Sequence, residues 1–139
     1  MLSAYNGLAA LPPGAAVAGN IGGQTLFPGL YTAPSTLAVT SGTLTLDAQG
    51  DANAVWIFQI GTALDVTTQV TLAGGAQASN IYWQVGSSAT IDVGAVMQGN
   101  ILAFTSITTN GGATLNGRAL ALNAAVTAGA SGASLPVCP

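Results

Sequence analysis

Ionisable side chains, the groups that most often carry out chemistry in proteins, are nearly absent from this 139-residue chain. It has no histidine, lysine or glutamate, and its charged residues are Asp47, Asp51, Asp65, Asp92 and Arg118. They make up 4% of the sequence, against about 25% in an ordinary soluble domain. The many Ser and Thr hydroxyls therefore have no His or Lys beside them to act as the base that nucleophilic catalysis needs. The composition argues against an enzyme and predicts no catalytic residue.

The closest carboxylate pair is Asp47 and Asp51, which flank a glycine in the segment DAQGD. A calcium loop would need more acidic ligands and a terminal glutamate, so we interpret this segment as a turn held by Asx hydrogen bonds. Scattered aspartates and one arginine also fall short of the acid and base clusters of a polysaccharide lyase. The sequence predicts neither a metal site nor a cofactor.

The charge balance and the cysteine content limit the partners. With one basic residue and a net charge of −3, the chain lacks the basic patch that nucleic acids or anionic membranes would need. Half of the residues are hydrophobic, but Gly, Pro, Asn, Thr and Ser interrupt them before they reach the roughly 20 residues of a spanning helix. The first residues, MLSAYN, lack the basic region and apolar run of an export signal, so none is predicted within this sequence. The single cysteine, Cys138, is interpreted as an unpaired thiol in a tail, with pairing to another chain as the alternative.

Nineteen glycines separate short clusters of β-branched and aromatic residues, a pattern typical of short strands joined by tight turns. Helical periodicity is confined to residues 2–10, which Pro12 and Pro13 terminate, and which we predict to be the last turns of a helix. Residues 15–35 are interrupted by Gly and Pro, and we expect them to wrap an edge. The sequence therefore predicts an all-β protein with a short N-terminal helix.

Internal repeats begin at Thr36. One type of strand recurs at about 20-residue intervals, in residues 54–60 (AVWIFQI), 80–85 (NIYWQV), 100–104 (NILAF) and 118–122 (RALAL). A second type follows each of them, in residues 62–65, 88–92, 106–109 and 124–127. A third type occupies residues 43–46, 70–73, 95–98 and 113–116. Three strands per coil predict a β-solenoid of triangular cross-section; a Gly-rich β-sandwich, the alternative, has no reason to repeat at a nearly fixed spacing.

Alternation along these strands predicts which side chains face the interior and which form outward columns. The predicted interior residues are Val55, Ile57, Leu64, Leu72, Ile81, Trp83, Ile91, Ile107 and Leu115. One predicted outward column contains Thr45, Thr71, Val96 and Thr114. A second contains Ala63, Thr90, Ser106 and Ala125, beside Asp65, Asp92, Thr108 and Thr127.

Several segments together resemble one known family. They are residues 28–31 (PGLY), 42–47 (GTLTLD), 53–60 (NAVWIFQI), 75–80 (GAQASN), 83–90 (WQVGSSAT) and 116–121 (NGRALA). In this order they are similar to the microbial ice-binding proteins built on the DUF3494 domain, and the similarity runs from about residue 4 to residue 127. The resemblance implies a right-handed discontinuous β-solenoid flanked by one α-helix, a secreted or cell-surface location, no catalysis, and a flat face that adsorbs to ice.

The resemblance also shapes the expected domain organisation. Members of the family usually have a further N-terminal segment, and this sequence begins at what resembles the end of the family helix. We predict one domain over residues 1–139, with a helix end and linker at 1–14, an edge segment at 15–35, solenoid coils at 36–130 and a tail at 131–139.

The predicted function is adsorption to an ice crystal surface and its ordered water, through small uncharged side chains repeated from coil to coil. A threonine combines a stiff χ1, a methyl group and a hydroxyl that anchors water. The predicted ice-binding residues are Thr45, Thr71, Thr90, Ser106, Thr108, Thr114 and Thr127. The alternative for each of them is that it only satisfies β-propensity on a solvated strand.

Two other function classes stay open at this point. A structural or adhesive subunit could assemble into a dimer or a filament through strand edges left open by missing N-terminal strands. A carbohydrate-binding module could use Tyr82 as a stacking platform, since Tyr82 and Trp83 point to opposite faces of a strand and Trp83 is expected in the core.

Overall fold

The computed structural model describes residues 15–17, 19–110, 113–121 and 126–128, the last of these as backbone only. Within these ranges the chain forms three sheets in which all strands are parallel. Sheet A contains β1 (Ala15–Ala16), β4 (Gly29–Ala33), β7 (Trp56–Ile60), β10 (Ile81–Val85), β13 (Asn100–Ala103) and β16 (Ala119–Ala121). Sheet B contains β2 (Gly19–Asn20), β5 (Leu37–Val39), β8 (Leu64–Val66), β11 (Ala89–Ile91), β14 (Ile107–Thr109) and β17 (Val126–Ala128). Sheet C contains β3 (Thr25–Leu26), β6 (Thr43–Asp47), β9 (Gln69–Ala73), β12 (Val96–Gln98) and β15 (Thr114–Asn116).

The chain visits sheets A, B and C in turn, and successive coils pair in chain order. This arrangement is a three-sided β-solenoid and confirms the predicted three strands per coil. Residues 15–35, which we expected to wrap an edge, instead contribute β1 to β4, so the described coils begin at Ala15. Segments of two to five residues can form strands here because each strand makes its backbone hydrogen bonds with the strands of the neighbouring coils. The predicted helix at residues 2–10 and the tail at 131–139 lie outside the described residues.

Helices contribute almost nothing to the part of the chain that the structure describes. It contains one short 3₁₀ turn, Ala78–Asn80, which precedes β10. None of the described segments is a helix long and apolar enough to cross a membrane.

The interior is a continuous apolar column between the three sheets, and seven of the predicted core positions contact it. Ile81, Trp83, Leu64, Ile91, Ile107 and Leu115 are buried, and Leu72 packs partly buried against the same core. The prediction was wrong at β7, where Trp56, Phe58 and Ile60 point inward and Ile57 points outward. Val55, which precedes the strand, is 41% exposed.

The cause of this error is that both faces of β7 are apolar, so alternation in the sequence does not decide which face is buried. Pairing decides it: Phe58 aligns with Trp83 of β10 and with Tyr31 of β4. The ring centroids of Phe58 and Trp83 lie 4.0 Å apart at an interplanar angle of 7°, and Tyr31 stacks on the other side of Phe58 at 5.4 Å. The three rings form a stack that runs along the solenoid axis.

The corners between sheets A and B place the backbones of successive coils in close contact. Gly61 N donates a hydrogen bond to Ala33 O, and Gly86 N donates one to Ile60 O; the donor and acceptor atoms are 2.8 Å apart in each. A Cβ at Gly86 would clash with the Gly61 carbonyl oxygen. Glycine is required at Gly86 because the neighbouring coil already fills this space.

We expect Gly86→Ala to destabilise the fold by about 1–3 kcal/mol, the usual cost of overpacking, because two backbones would have to move apart. Thermal unfolding followed by circular dichroism would measure the change. Ser87→Ala, one residue further along the same corner, is the matched control and should stay within about 0.5 kcal/mol of the wild type. Equal stabilities for the two variants would contradict this packing.

Candidate functional site

The outward surface of sheet B consists of short side chains in register. In β5, β8, β11 and β14 the first and third residues are buried and the middle residue faces out. Backbone pairing aligns the middle positions of six strands, which are Asn20, Ala38, Asp65, Thr90, Thr108 and Thr127. Residues two positions before and after share this face because side chains alternate along a strand. We call this surface the B face; its flanking residues are Thr36, Ala63, Ser88 and Ser106 on one side and Thr40, Thr67, Asp92 and Asn110 on the other.

The side chains of the B face have similar heights. None of those just named has more than four side-chain heavy atoms, and in β8, β11 and β14 they are half-buried by their neighbours. Hydroxyls of adjacent coils also contact each other, since Ser88 Oγ lies 3.0 Å from Ser106 Oγ and Thr36 Oγ1 lies 3.0 Å from Thr62 Oγ1. The result is an even surface whose polar groups repeat at about 4.8 Å from coil to coil.

Corners of constant length keep the B face in register. In the four central coils, three residues join the A strand to the B strand, namely residues 34–36, 61–63, 86–88 and 104–106. The corners between sheets B and C differ in length and comprise residues 40–42, 67–68, 92–95 and 110–113. The repeat is therefore regular on sheet B and irregular on sheet C.

Sheet C shows this irregularity in its pairing. Strands β9 and β12 pair at a single position, Gln69 with Val96, and Val96 in turn aligns with Thr114. Thr45 aligns with Thr71 in a separate column. The exposed side chain of Gln69 is also longer than those of the threonines on this sheet, so the outward surface of sheet C is uneven.

The outward surface of sheet A carries longer side chains than the B face, and several of them are buried. Tyr82 lies there half-buried, between Ile57 and Asn100 in register. Gln84 and Leu102, in the adjacent column, are 6% and 2% exposed. Trp83 lies in the core, as predicted. A buried surface with long side chains offers no flat solvent-facing plate.

Two carboxyl groups, Asp65 and Asp92, are the charged groups of the B face. Asp92 Oδ1 accepts a hydrogen bond of 3.0 Å from Asn110 Nδ2. Burial is the largest cause that raises the pKa of Asp65, and the charge of Asp92 and a hydrogen bond with it raise that pKa further.

The remaining charged residues lie away from the B face, and two of them hold turns. Asp47 Oδ1 accepts from Gln49 N over 2.8 Å, and Asp51 Oδ1 accepts from Asn53 N over 2.9 Å, so the segment DAQGD forms the predicted Asx turns. Arg118 is exposed in the turn before β16. Among the described residues no three His, Cys, Asp or Glu side chains come together as metal ligands would.

Comparisons with known proteins decide the family of this solenoid. Residues 1–132 match the family model described as ice-binding-like. The chain belongs to the ice-binding-like family. An ice-binding protein from the cyanobacterium Nostoc sp. strain HG1 is 44% identical over 128 residues, which are 90% of this chain and 47% of that protein. Ice-binding protein K3-B1 of Typhula ishikariensis is 46% identical over 92 residues, 65% of this chain and 37% of that protein.

Solved structures of ice-binding proteins share the fold of this ice-binding-like chain. An ice-binding protein from an Antarctic biological consortium matches with a TM-score of 0.88 and 50% identity, over 91% of this chain and 59% of that one. An ice-binding protein with antifreeze activity from an Arctic yeast matches with a TM-score of 0.85 and 35% identity, over 99% of this chain and 60% of that one. The chain thus spans about half or less of the curated relatives named above. Their names give no support to the alternative of a structural or adhesive subunit.

The structure distributes the seven predicted ice-binding residues of the ice-binding-like solenoid over two sheets. Thr90, Thr108 and Thr127 lie in strands of sheet B and Ser106 directly precedes β14; the side chains of Thr90, Ser106 and Thr108 are on the B face. Thr45, Thr71 and Thr114 lie on sheet C, in two different columns. The predicted alignment of Thr90 with Ser106 was wrong by two residues, because Thr90 pairs with Thr108 and Ser106 lies beside Ser88.

Sequence reasoning missed Asn20, in the middle column of the B face of the ice-binding-like chain, and five polar residues that flank this column. The five are Thr36, Thr40, Thr67, Ser88 and Asn110. A signal for them is present, since residues 36–40, 63–67, 88–92 and 106–110 alternate small or polar residues with mostly apolar ones. Each of these four segments begins three residues after a strand of sheet A, and this constant offset would have aligned them.

Proposed function

We propose that this chain binds ice through the B face. The observation that carries the proposal is the register of sheet B, which repeats short hydroxyl, methyl and amide groups over successive coils at one height. Family membership supports it, since the relatives and solved structures described above are named as ice-binding proteins.

The physical basis is the ordering of water before contact with the crystal. Ice differs from the surrounding liquid in the arrangement of its molecules and not in its composition, so a binder must hold water in a crystal-like pattern. Each threonine hydroxyl can anchor a water molecule, while its methyl group restricts the neighbouring ones. The stiff β-branched χ1 keeps both groups in a fixed position, so the lattice spacing is set by the backbone.

Sheet C is a poorer candidate although it also carries threonines. Its columns shift at the Gln69 and Val96 pair, and long glutamine side chains interrupt its surface. Water held over sheet C would lack a common spacing from coil to coil. We therefore propose Thr90, Ser106 and Thr108 as the centre of the adsorbing surface, and assign no role in ice binding to Thr45, Thr71 and Thr114.

The proposal is tested by growing single ice crystals in a dilute solution of the protein just below the melting point. We expect flat facets and arrested growth over a measurable range of undercooling, whereas crystals in bovine serum albumin at equal mass concentration should stay round. Round crystals that grow as fast as those in albumin would overturn the proposal.

We infer that the chain works without catalysis and outside the cell, either secreted or on the cell surface, where ice first meets an organism. The near absence of basic residues gives no surface for nucleic acids, and adsorption to ice through short polar side chains needs no bound cofactor. Antibody detection of the protein in culture medium, in washed intact cells and in lysate would test the location, and detection in lysate alone would contradict it.

A further inference from the structure

A pair of carboxyl groups interrupts the otherwise uncharged B face. Asp65 occupies the middle of β8 and pairs in register with Thr90 of β11. Asp92 follows Thr90 by two residues, so it lies on the same face and in the neighbouring coil. A carboxylate binds its water shell tightly, in an arrangement unlike ice, so charge at the centre of an ice-adsorbing plate needs an explanation.

The contacts of the two carboxyl groups are unequal. Asp92 Oδ1 accepts a hydrogen bond of 3.0 Å from Asn110 Nδ2. Asp65 Oδ1 is buried and receives no hydrogen bond, although an ionised carboxylate would need donors there. Asp65 and Asp92 are diagonal neighbours on adjacent coils, since Thr90 aligns with Asp65 and precedes Asp92 by two residues. A hydrogen bond between two carboxyl groups requires one proton, and Asp65, whose buried oxygen has no donor, is the better suited of the two to carry it.

Among the residues that the structure describes, no counter-charge faces this pair. The neighbouring middle residues of sheet B are Ala38 and Thr90, which are uncharged. The other charged residues of the sequence are Asp47 on sheet C, and Asp51 and Arg118 in the corners between sheets C and A. The pair can therefore lower its charge only by taking up a proton.

We propose that Asp65 and Asp92 form a proton-sharing pair that sets the charge of the B face and makes adsorption to ice stronger as the pH falls. Asn110 acts as a positioning residue that holds Asp92 toward Asp65. This inference rests on the proposed function, because it concerns the surface that we propose to bind ice. Above the pH at which the shared proton leaves, two negative charges hold water in shells that do not fit the crystal.

The same pair makes a prediction for stability, with a definite sign. The pKa of Asp65 in the folded chain is raised above its ordinary value of 3.8, through burial first and Asp92 second. Protonation is thus favoured by folding, and its stabilising contribution is present at low pH and lost as the pH rises through the raised pKa. Stability should fall over this interval in the wild type and not in a variant without the Asp65 carboxyl.

The test compares the wild type with Asp65→Asn, and with Asp47→Asn as the matched control on sheet C. The fraction of protein carried into a slowly growing ice front and the Tm would both be measured from about pH 2.5 to about pH 8, which brackets carboxyl titration in proteins. We expect wild-type uptake to fall several-fold as the pH rises. Asp65→Asn should keep the wild-type low-pH uptake throughout, since its amide donates to Asp92 as the protonated carboxyl does, and Asp47→Asn should follow the wild-type profile.

Two results would overturn the inference. The first is an Asp65→Asn variant whose uptake depends on pH as in the wild type. The second is wild-type uptake that is independent of pH while the Tm changes with pH and Asp65→Asn abolishes that change, since the pair would then be purely structural. Absence of wild-type uptake at every pH is a different result: it would overturn the proposed function, and with it a role of the pair in adsorption.

Discussion

Replacing Thr108 by tyrosine is expected to abolish the arrest of ice growth. Thr108 lies in the middle column of the B face and aligns with Thr90 on one side and Thr127 on the other. A tyrosine ring at this position would stand above the surrounding threonine, serine and aspartate side chains. The B face and the ice crystal would then touch only at the ring, and the ordered water between them would be lost.

The measurement is the undercooling over which a single ice crystal stops growing, compared at equal protein concentration. Thr71→Tyr, on sheet C, is the matched control and should keep the wild-type value. Because both residues point outward, each substitution should change the free energy of unfolding by no more than about 0.5 kcal/mol, so a loss in Thr108→Tyr alone cannot come from misfolding. Retention of activity in Thr108→Tyr, or equal loss in the two variants, would contradict the assignment of the B face.

Replacing Trp83 by alanine is expected to cause the largest loss of stability. Its side chain is fully buried, stacks on Phe58 at 4.0 Å, and donates from Nε1 to Gln98 O over 2.8 Å. Removing a buried tryptophan side chain costs about 3–5 kcal/mol, and the Gln98 carbonyl would lose its partner as well. This is a large part of the roughly 5–15 kcal/mol that stabilise a typical domain, so the variant should unfold at a much lower urea concentration than the wild type.

Urea unfolding monitored by far-UV circular dichroism would measure this effect. Trp83→Phe is the informative control, because it keeps a ring against Phe58 and loses the hydrogen bond and only part of the buried ring, so it should cost less, about 1–3 kcal/mol. If Trp83→Ala unfolded at the same urea concentration as Trp83→Phe, the ring stack would not contribute to stability as we expect.

Strand identity and the number of strands per coil could be predicted from the sequence because they depend on local signals. Clusters such as residues 81–85 and 107–109 stand between glycine- and serine-rich turns, and they recur. Their pairing in parallel coils follows from the repeat alone. The Asx turns at Asp47 and Asp51 could be predicted for the same reason, since each turn involves residues two positions apart.

Register between coils could not be predicted reliably because it depends on the length of every corner. The column of Thr45, Thr71, Val96 and Thr114 assumed equal corners, but residues 67–68 form a shorter connection than residues 92–95. Thr114 therefore joins Val96 and Gln69, two positions from Thr71. Likewise, the apolar residues on both faces of β7 concealed its orientation, which the stack of Phe58 on Trp83 decides.

The hydration of the B face tests the central claim most directly. That claim is that groups held in register by the solenoid order water in a repeating pattern. A high-resolution crystal structure with this face free of lattice contacts should show ordered waters between the columns of Thr90, Thr108, Ser88 and Ser106, at positions that recur every coil, about 4.8 Å apart. Waters that are no more ordered than those over sheet C, or that differ from coil to coil, would contradict it.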